Sequence, residues 1–163
     1  MHHTETNLIE INNKIKNKIN SLSLDQYNPK VIAVSKTFKE QDILPLLNYG
    51  HRDFGENKVQ EALLKWPNLK EKYKNVKLHM LGKLQTNKAK FAVEIFDYIH
   101  SLDSLKLANK LANEVHKKDR KVKMFIQINL GGEKQKSGIE PNDLETFYTS
   151  CLSLKLDLSL IHI

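Results

Sequence analysis

Apolar residues recur at three- and four-residue steps from the start of the chain. Leu8, Ile11, Ile15, Ile19 and Leu22 share one face, with Lys, Asn and Glu between them. That spacing predicts an amphipathic helix over residues 7–22, with Thr6 or Asn7 as its cap. Asn28-Pro29 then breaks the chain. Beyond it, short apolar runs alternate with helical patterns. Val31-Ile32-Ala33-Val34 suits a buried strand, and a helix follows over about residues 40–48, stopped by Gly50. Pro45 lies inside that helix and predicts a late start or a kink. A short, weak strand at 53–55 leads to a helix at 59–65. Further strands are expected at 77–81, 98–100 and 122–130, the last rich in Val, Ile and Phe. Helices follow them over about 87–95, from a cap at Asp103 or Ser104 through His116, and from Pro141 to about Leu152. Residues 156–163 alternate and read as a sixth strand.

Alternation of β and α at roughly 20–25 residues per unit predicts an α/β fold with a parallel sheet and helical crossovers. No linker divides the chain, so residues 1–163 are expected to form a single domain. Residues 1–28 supply an N-terminal helix and connection. Residues 30–163 supply five βα units and strand six. Two architectures fit. An open doubly wound parallel sheet would be complete at this length, whereas a TIM-type (β/α)8 barrel of about 250 residues would be incomplete here. Periodicity alone favours the first.

Composition trims the functional possibilities. With 40% apolar and 28% charged residues, the chain reads as an ordinary globular domain. Cys151 is the single cysteine, which excludes an intrachain disulfide framework and predicts a reducing compartment. No apolar run approaches the roughly 20 residues that span a bilayer, and the first residues lack a secretory layout. A cytoplasmic protein is expected. The net charge of +7 raises the prospect of anionic partners. Yet Arg52 and Arg120 are the only arginines, and acidic residues interleave with the lysines, as in Lys70-Glu71-Lys72. That texture argues for a solvated surface over a nucleic-acid reader.

In both architectures ligands bind at the carboxyl ends of the strands. Short polar segments gather there: Ser35-Lys36-Thr37, Gly55-Glu56-Asn57-Lys58, Gly82-Lys83-Leu84-Gln85, Ser101-Leu102-Asp103, and the stretch from Gly131 to Gly138. Lys36 stands out, because it directly follows four apolar residues and Ser35. Its stem is expected to pack inside with its amine at the rim. A lysine amine is nucleophilic when neutral, a form that burial or nearby cations favour, and it can then form a Schiff base with an aldehyde cofactor. A structural lysine is the alternative. His79 could do acid–base work or be hydrogen-bonded structure. The remaining histidines show no metal-ligand spacing. The glycines at 131–138 match neither a Walker loop nor a dinucleotide fingerprint.

The segment Val31-Ile32-Ala33-Val34-Ser35-Lys36-Thr37 resembles the first-strand signature of the pyridoxal phosphate homeostasis protein family. So do Phe54-Gly55-Glu56-Asn57-Lys58-Val59-Gln60-Glu61, the run from His79 to Lys88, His100-Ser101-Leu102-Asp103, and Gln127-Ile128-Asn129 with Lys136-Ser137-Gly138. These five motifs lie in family order across residues 30–160. The resemblance implies a barrel similar to the N-terminal domain of alanine racemase, incomplete here at about six strands. It implies pyridoxal 5′-phosphate (PLP) on Lys36, with Asn57, His79 and Lys136 as further cofactor-binding residues. It also implies intracellular PLP homeostasis, with amino acids or PLP-dependent apoenzymes as partners and a monomer at full length. A racemase-like PLP enzyme and a lysine-rich nucleic-acid-associated domain are the rival readings.

Phe38 stands where relatives often carry lysine, and Leu78 where they often carry tryptophan. The chain ends at Ser159-Leu160-Ile161-His162-Ile163, where the family's sixth strand runs. The family's phosphate cradle and the partner of the pyridine nitrogen come after that point. They are therefore expected to lie outside these residues, and PLP binding by residues 1–163 alone is expected to be weak or absent.

Overall fold

The structure is a computed structural model describing residues 2–131 and 137–162. Its elements run α1 (His3–Ser21), β1 (Ala33–Val34), α2 (Glu40–Tyr49), β2 (Asp53–Glu56), α3 (Val59–Lys72), β3 (Lys77–Met80), α4 (Ala89–Ile95), β4 (Tyr98–Leu102), α5 (Leu105–Lys118), β5 (Lys123–Ile128), α6 (Leu144–Ser153) and β6 (Asp157–His162). Turns of 3-10 helix at Thr86–Lys88 and Pro141–Asp143 lead into α4 and α6.

Every strand pair is parallel, and the strands lie in the sheet in the order β1-β2-β3-β4-β5-β6. That order decides between the two architectures that periodicity leaves open, and bears out the incomplete barrel that the resemblance implies. An open doubly wound sheet reverses its strand order at a switch point. Here every crossover steps the same way, as in a (β/α)8 barrel, and the described strands are six of the eight that such a barrel contains.

Alternation along the strands sorts the residues between two faces. Phe54, Leu78, Met80, Ile99, Met124 and Ile126 are fully buried, in one cluster with Ala62, Trp66, Ala92, Val93, Leu107 and Leu111 from the helices. The other face carries Val34, Gly55, His79, Tyr98, His100 and Phe125. Registers Val34↔Gly55, Gly55↔His79 and His79↔Tyr98 align its first members.

Several element ends differ from expectation. α1 begins at His3, because the His2 ring accepts from the Thr4 amide and Glu5 accepts from the His2 amide. This capping box replaces the expected Thr6 or Asn7 cap. Leu8 is the buried residue of the α1 stripe and Ile11 is exposed, so α1 leans on α2 instead of entering the core. α2 starts on time at Glu40, and Pro45 costs it only one internal hydrogen bond. α3 continues to Lys72, past Pro67 and well beyond the expected end at residue 65. Ser104 caps α5, its hydroxyl accepting from the Leu107 amide.

Two glycines mark close approaches at the carboxyl ends of β2 and β3. A Cβ on Gly82 would lie 2.3 Å from the Asn57 carbonyl oxygen, which is backbone. A Cβ on Gly55 would meet Leu81 Cδ1 at 2.4 Å, the movable end of a side chain. Gly82→Ala should therefore lower stability by about 1–3 kcal/mol in urea unfolding, and Gly55→Ala by clearly less. Equal costs would show that the two strand ends are not held together as described.

Candidate functional site

The site is built around the turn that follows β1. Ser35 is buried and Lys36 exposed. This corrects the expectation that the lysine stem packs inside: β1 ends at Val34, and the chain turns with Thr37 in the left-handed region at φ 66°. Lys36 takes part in no hydrogen bond or ion pair with the described residues.

The backbone that carries Lys36 is not free. Lys65, only 7% exposed, donates to the Ser35 carbonyl at 2.8 Å and to the Phe38 carbonyl at 2.9 Å. The same ammonium lies 2.8 Å from Glu56 Oε1, on a side chain with no exposure at all. That oxygen also accepts from the Ser35 hydroxyl at 2.8 Å and from the Trp66 indole at 2.9 Å. Glu61 accepts from the Thr37 amide at 2.5 Å. One turn of α3 and one residue of β2 thus hold both sides of Lys36.

Neither Lys65 nor Glu56 was singled out from the sequence. A signal was present, since Lys65 falls on the apolar side of α3 among Val59, Ala62, Trp66 and Leu69. A charged residue at a core position of a helix requires a buried partner.

Asn57 is half-buried just beyond β2. Because Val34 pairs with Gly55, Asn57 and Lys36 each lie two residues past a paired position, at the ends of neighbouring strands. His79 pairs with Gly55 and so lies two residues deeper than Asn57. It is buried and engaged on both ring nitrogens. Asp53 Oδ1 is 3.2 Å from His79 Nε2, and His100 Nε2 is 3.0 Å from His79 Nδ1. A carboxylate only accepts, so Nε2 of His79 carries the proton and Nδ1 accepts from His100. The His79 ring stacks on Tyr98 at 4.3 Å and the His100 ring on Phe125 at 4.4 Å. The sequence left His79 open between chemistry and structure; its contacts make it part of a hydrogen-bonded chain. His100 joined no site in the sequence reading, because its partner is distant in sequence. Lys136 lies outside the described residues.

Burial pushes the His79 ring below its ordinary range, against the pull of Asp53. Burial, with His79 beside it, pushes His100 down to about 4.

A parallel sheet in unbroken chain order defines part of a (β/α)8 barrel, with an unpaired lysine at the end of its first strand. The chain belongs to the family described as alanine racemase, N-terminal domain, whose model matches residues 11–163. It is 35% identical over 140 residues to the pyridoxal phosphate homeostasis protein of Pasteurella multocida, covering 86% of this chain and 60% of that one. The Aquifex aeolicus protein of the same name is 36% identical over 125 residues, covering 77% and 54%. The chain thus spans little more than half the length of these relatives. Among solved structures, PipY of Synechococcus elongatus with PLP bound is 36% identical with a TM-score of 0.74, over 87% of this chain and 68% of that one. Alanine racemase of Clostridium difficile shares the fold alone, at 15% identity, a TM-score of 0.62 and coverage of 82% and 35%. Among the described residues, no helix is long and apolar enough to cross a membrane.

Two outcomes are expected. Lys65→Met strands the buried Glu56 carboxylate and should cost about 3–5 kcal/mol, while adding Glu56→Gln should recover part of that loss. Urea unfolding of the single and double variants checks this, and a strictly additive double variant would disprove the coupling. The second concerns pH. The folded His100 takes up its proton only near pH 4, and the unfolded ring near 6.5. Its contribution to stability is thus complete above about pH 6.5 and falls away as pH drops toward 4. His100→Gln keeps a donor for His79 without titrating, so its unfolding midpoint should decline less steeply over that window.

Proposed function

We propose that this chain carries the lysine, Lys36, that holds PLP as a Schiff base in a protein that keeps and hands on the cofactor rather than catalysing a reaction. The observation that carries this reading is the free lysine on a clamped turn at the carboxyl end of β1. Lys36 is exposed and unpaired, while the backbone on either side of it is fixed by a buried ion pair. That is the arrangement a covalent anchor needs: a mobile, reactive amine on an immobile base. The residues fit a flat aldehyde, since the Asn57 amide stands at the end of the neighbouring strand, level with Lys36.

PLP when bound supplies an aldehyde that condenses with the amine and a ring that stores electrons. Lys36 holds it, Asn57 orients it, and His79 shapes the inner face beneath through Asp53 and His100. Lys136 is a further contact in this reading. Catalysis on an amino acid needs an additional acid–base group facing the substrate. The two inner-face histidines spend their facing nitrogens on each other and on Asp53. The names of the curated relatives support homeostasis in the same direction. Handing PLP to apoenzymes in the cytoplasm is the role that follows.

The test is borohydride reduction of the chain in excess PLP, followed by peptide mapping. Lys36 should take the label several-fold ahead of equally exposed lysines such as Lys39, and Lys36→Ala should lose that peak. Uniform labelling of the surface would overturn the assignment. Sustained racemisation of L-alanine by the PLP-loaded chain would overturn the carrier reading.

A further inference from the structure

A cleft of about 390 Å³ lies between the amino terminus of α3 and the connection from β3 to α4. Its floor is apolar, formed by the buried Val59, Met80 and Leu84. Its rim is cationic, formed by Lys58, Lys83 and Lys88, and no acidic residue lines it. None of these three lysines pairs with a carboxylate of the described residues. Lys65, Lys70, Lys77, Lys110 and Lys118, by contrast, each lie against a carboxylate. Glu56 and Glu61, the acids closest in sequence to Lys58, are turned toward Lys65 and Thr37.

The cleft is also built. Gly82 lets the β3 connection rest directly on the Asn57 backbone, which fixes one wall against the other. The α3 amino terminus has no side-chain cap and faces the same space through Lys58, Val59 and Gln60. Amides from Gln60 and Gln85 complete the rim.

We infer that this cleft is a ligand site of its own, taking a phosphate monoester whose organic part is small and apolar. The chemistry selects that class. Three ammonium groups and a helix amino terminus favour a dianion over a carboxylate. No arginine lines the cleft, and lysines bind phosphate as point charges without needing the planar match that carboxylates offer to arginine. The apolar floor then adds affinity for an ester over free phosphate. A nucleic-acid backbone would instead run along an open basic track. The inference does not depend on PLP binding at Lys36.

The probe is phenyl phosphate, which has no aldehyde and cannot react with Lys36. Titration of the 163-residue chain, followed by amide NMR, should shift the side-chain signals of Gln60 and Gln85 first. Inorganic phosphate should bind the same residues several-fold more weakly. Lys83→Ala and Lys88→Ala are surface changes that leave the fold intact by circular dichroism. Each should weaken phenyl phosphate by about tenfold, as loss of one charge-assisted contact does. Lys36→Ala and Lys39→Ala should leave the affinity unchanged. Equal losses from Lys39→Ala, shifts spread over the whole lysine-rich surface, or loss of binding in Lys36→Ala would each overturn the inference. So would an oligonucleotide that binds these lysines while phenyl phosphate does not.

Discussion

The carboxylate of Glu56 and the ammonium of Lys65 meet out of reach of water, and most of the candidate site follows from that meeting. Neither charge survives burial alone, so each requires the other, and each must also satisfy its remaining hydrogen-bonding capacity. Lys65 does so on the carbonyls of Ser35 and Phe38; Glu56 gathers the Ser35 hydroxyl and the Trp66 indole on the same Oε1, while its buried Oε2 has no partner among the described residues. The pair therefore ties β2, α3 and the turn after β1 into one unit. Lys36 lies inside the span that it fixes. A residue can be exposed there without its backbone being loose.

The inner face of the sheet follows a second polar logic. Asp53, His79 and His100 form a chain in which one acceptor-only group sets the tautomer of the next. Tyr98 and Phe125 stack on the two rings and hold their planes. The result is a fixed, largely uncharged surface, with titration delayed to acid pH by burial. On the outer rim, by contrast, lysines crowd a cleft with no acid to balance them. One sheet thus presents two differently charged surfaces near the ends of the same strands.

Much of the fold was legible along the chain, because α/β alternation leaves its mark in the switch between period two and period 3.6. Every expected strand and helix exists. What failed were ends and choices that depend on partners: the His2 cap, the extension of α3 through Pro67, and the exposure of Lys36. The last is instructive. An apolar run followed by lysine implies burial if the strand continues, but here the strand stops at Val34 and the chain turns.

The sequence by itself determined the elements, the lysine at the end of the first strand and the motif order that marks the family. These are local facts, set by side-chain periodicity and by residues adjacent in the chain. Periodicity could not choose the strand order, because both topologies share one hydrophobic pattern; the motif resemblance implied the barrel, and the tertiary structure showed its strand order. Tertiary structure alone decided that Lys65 reaches across 30 residues to Ser35, and that His79 meets His100 and Asp53. Such pairings arise when strands distant in sequence come into register. No local pattern encodes them, because the energy that fixes them, the cost of burying an unpaired polar group, exists only once the core has closed.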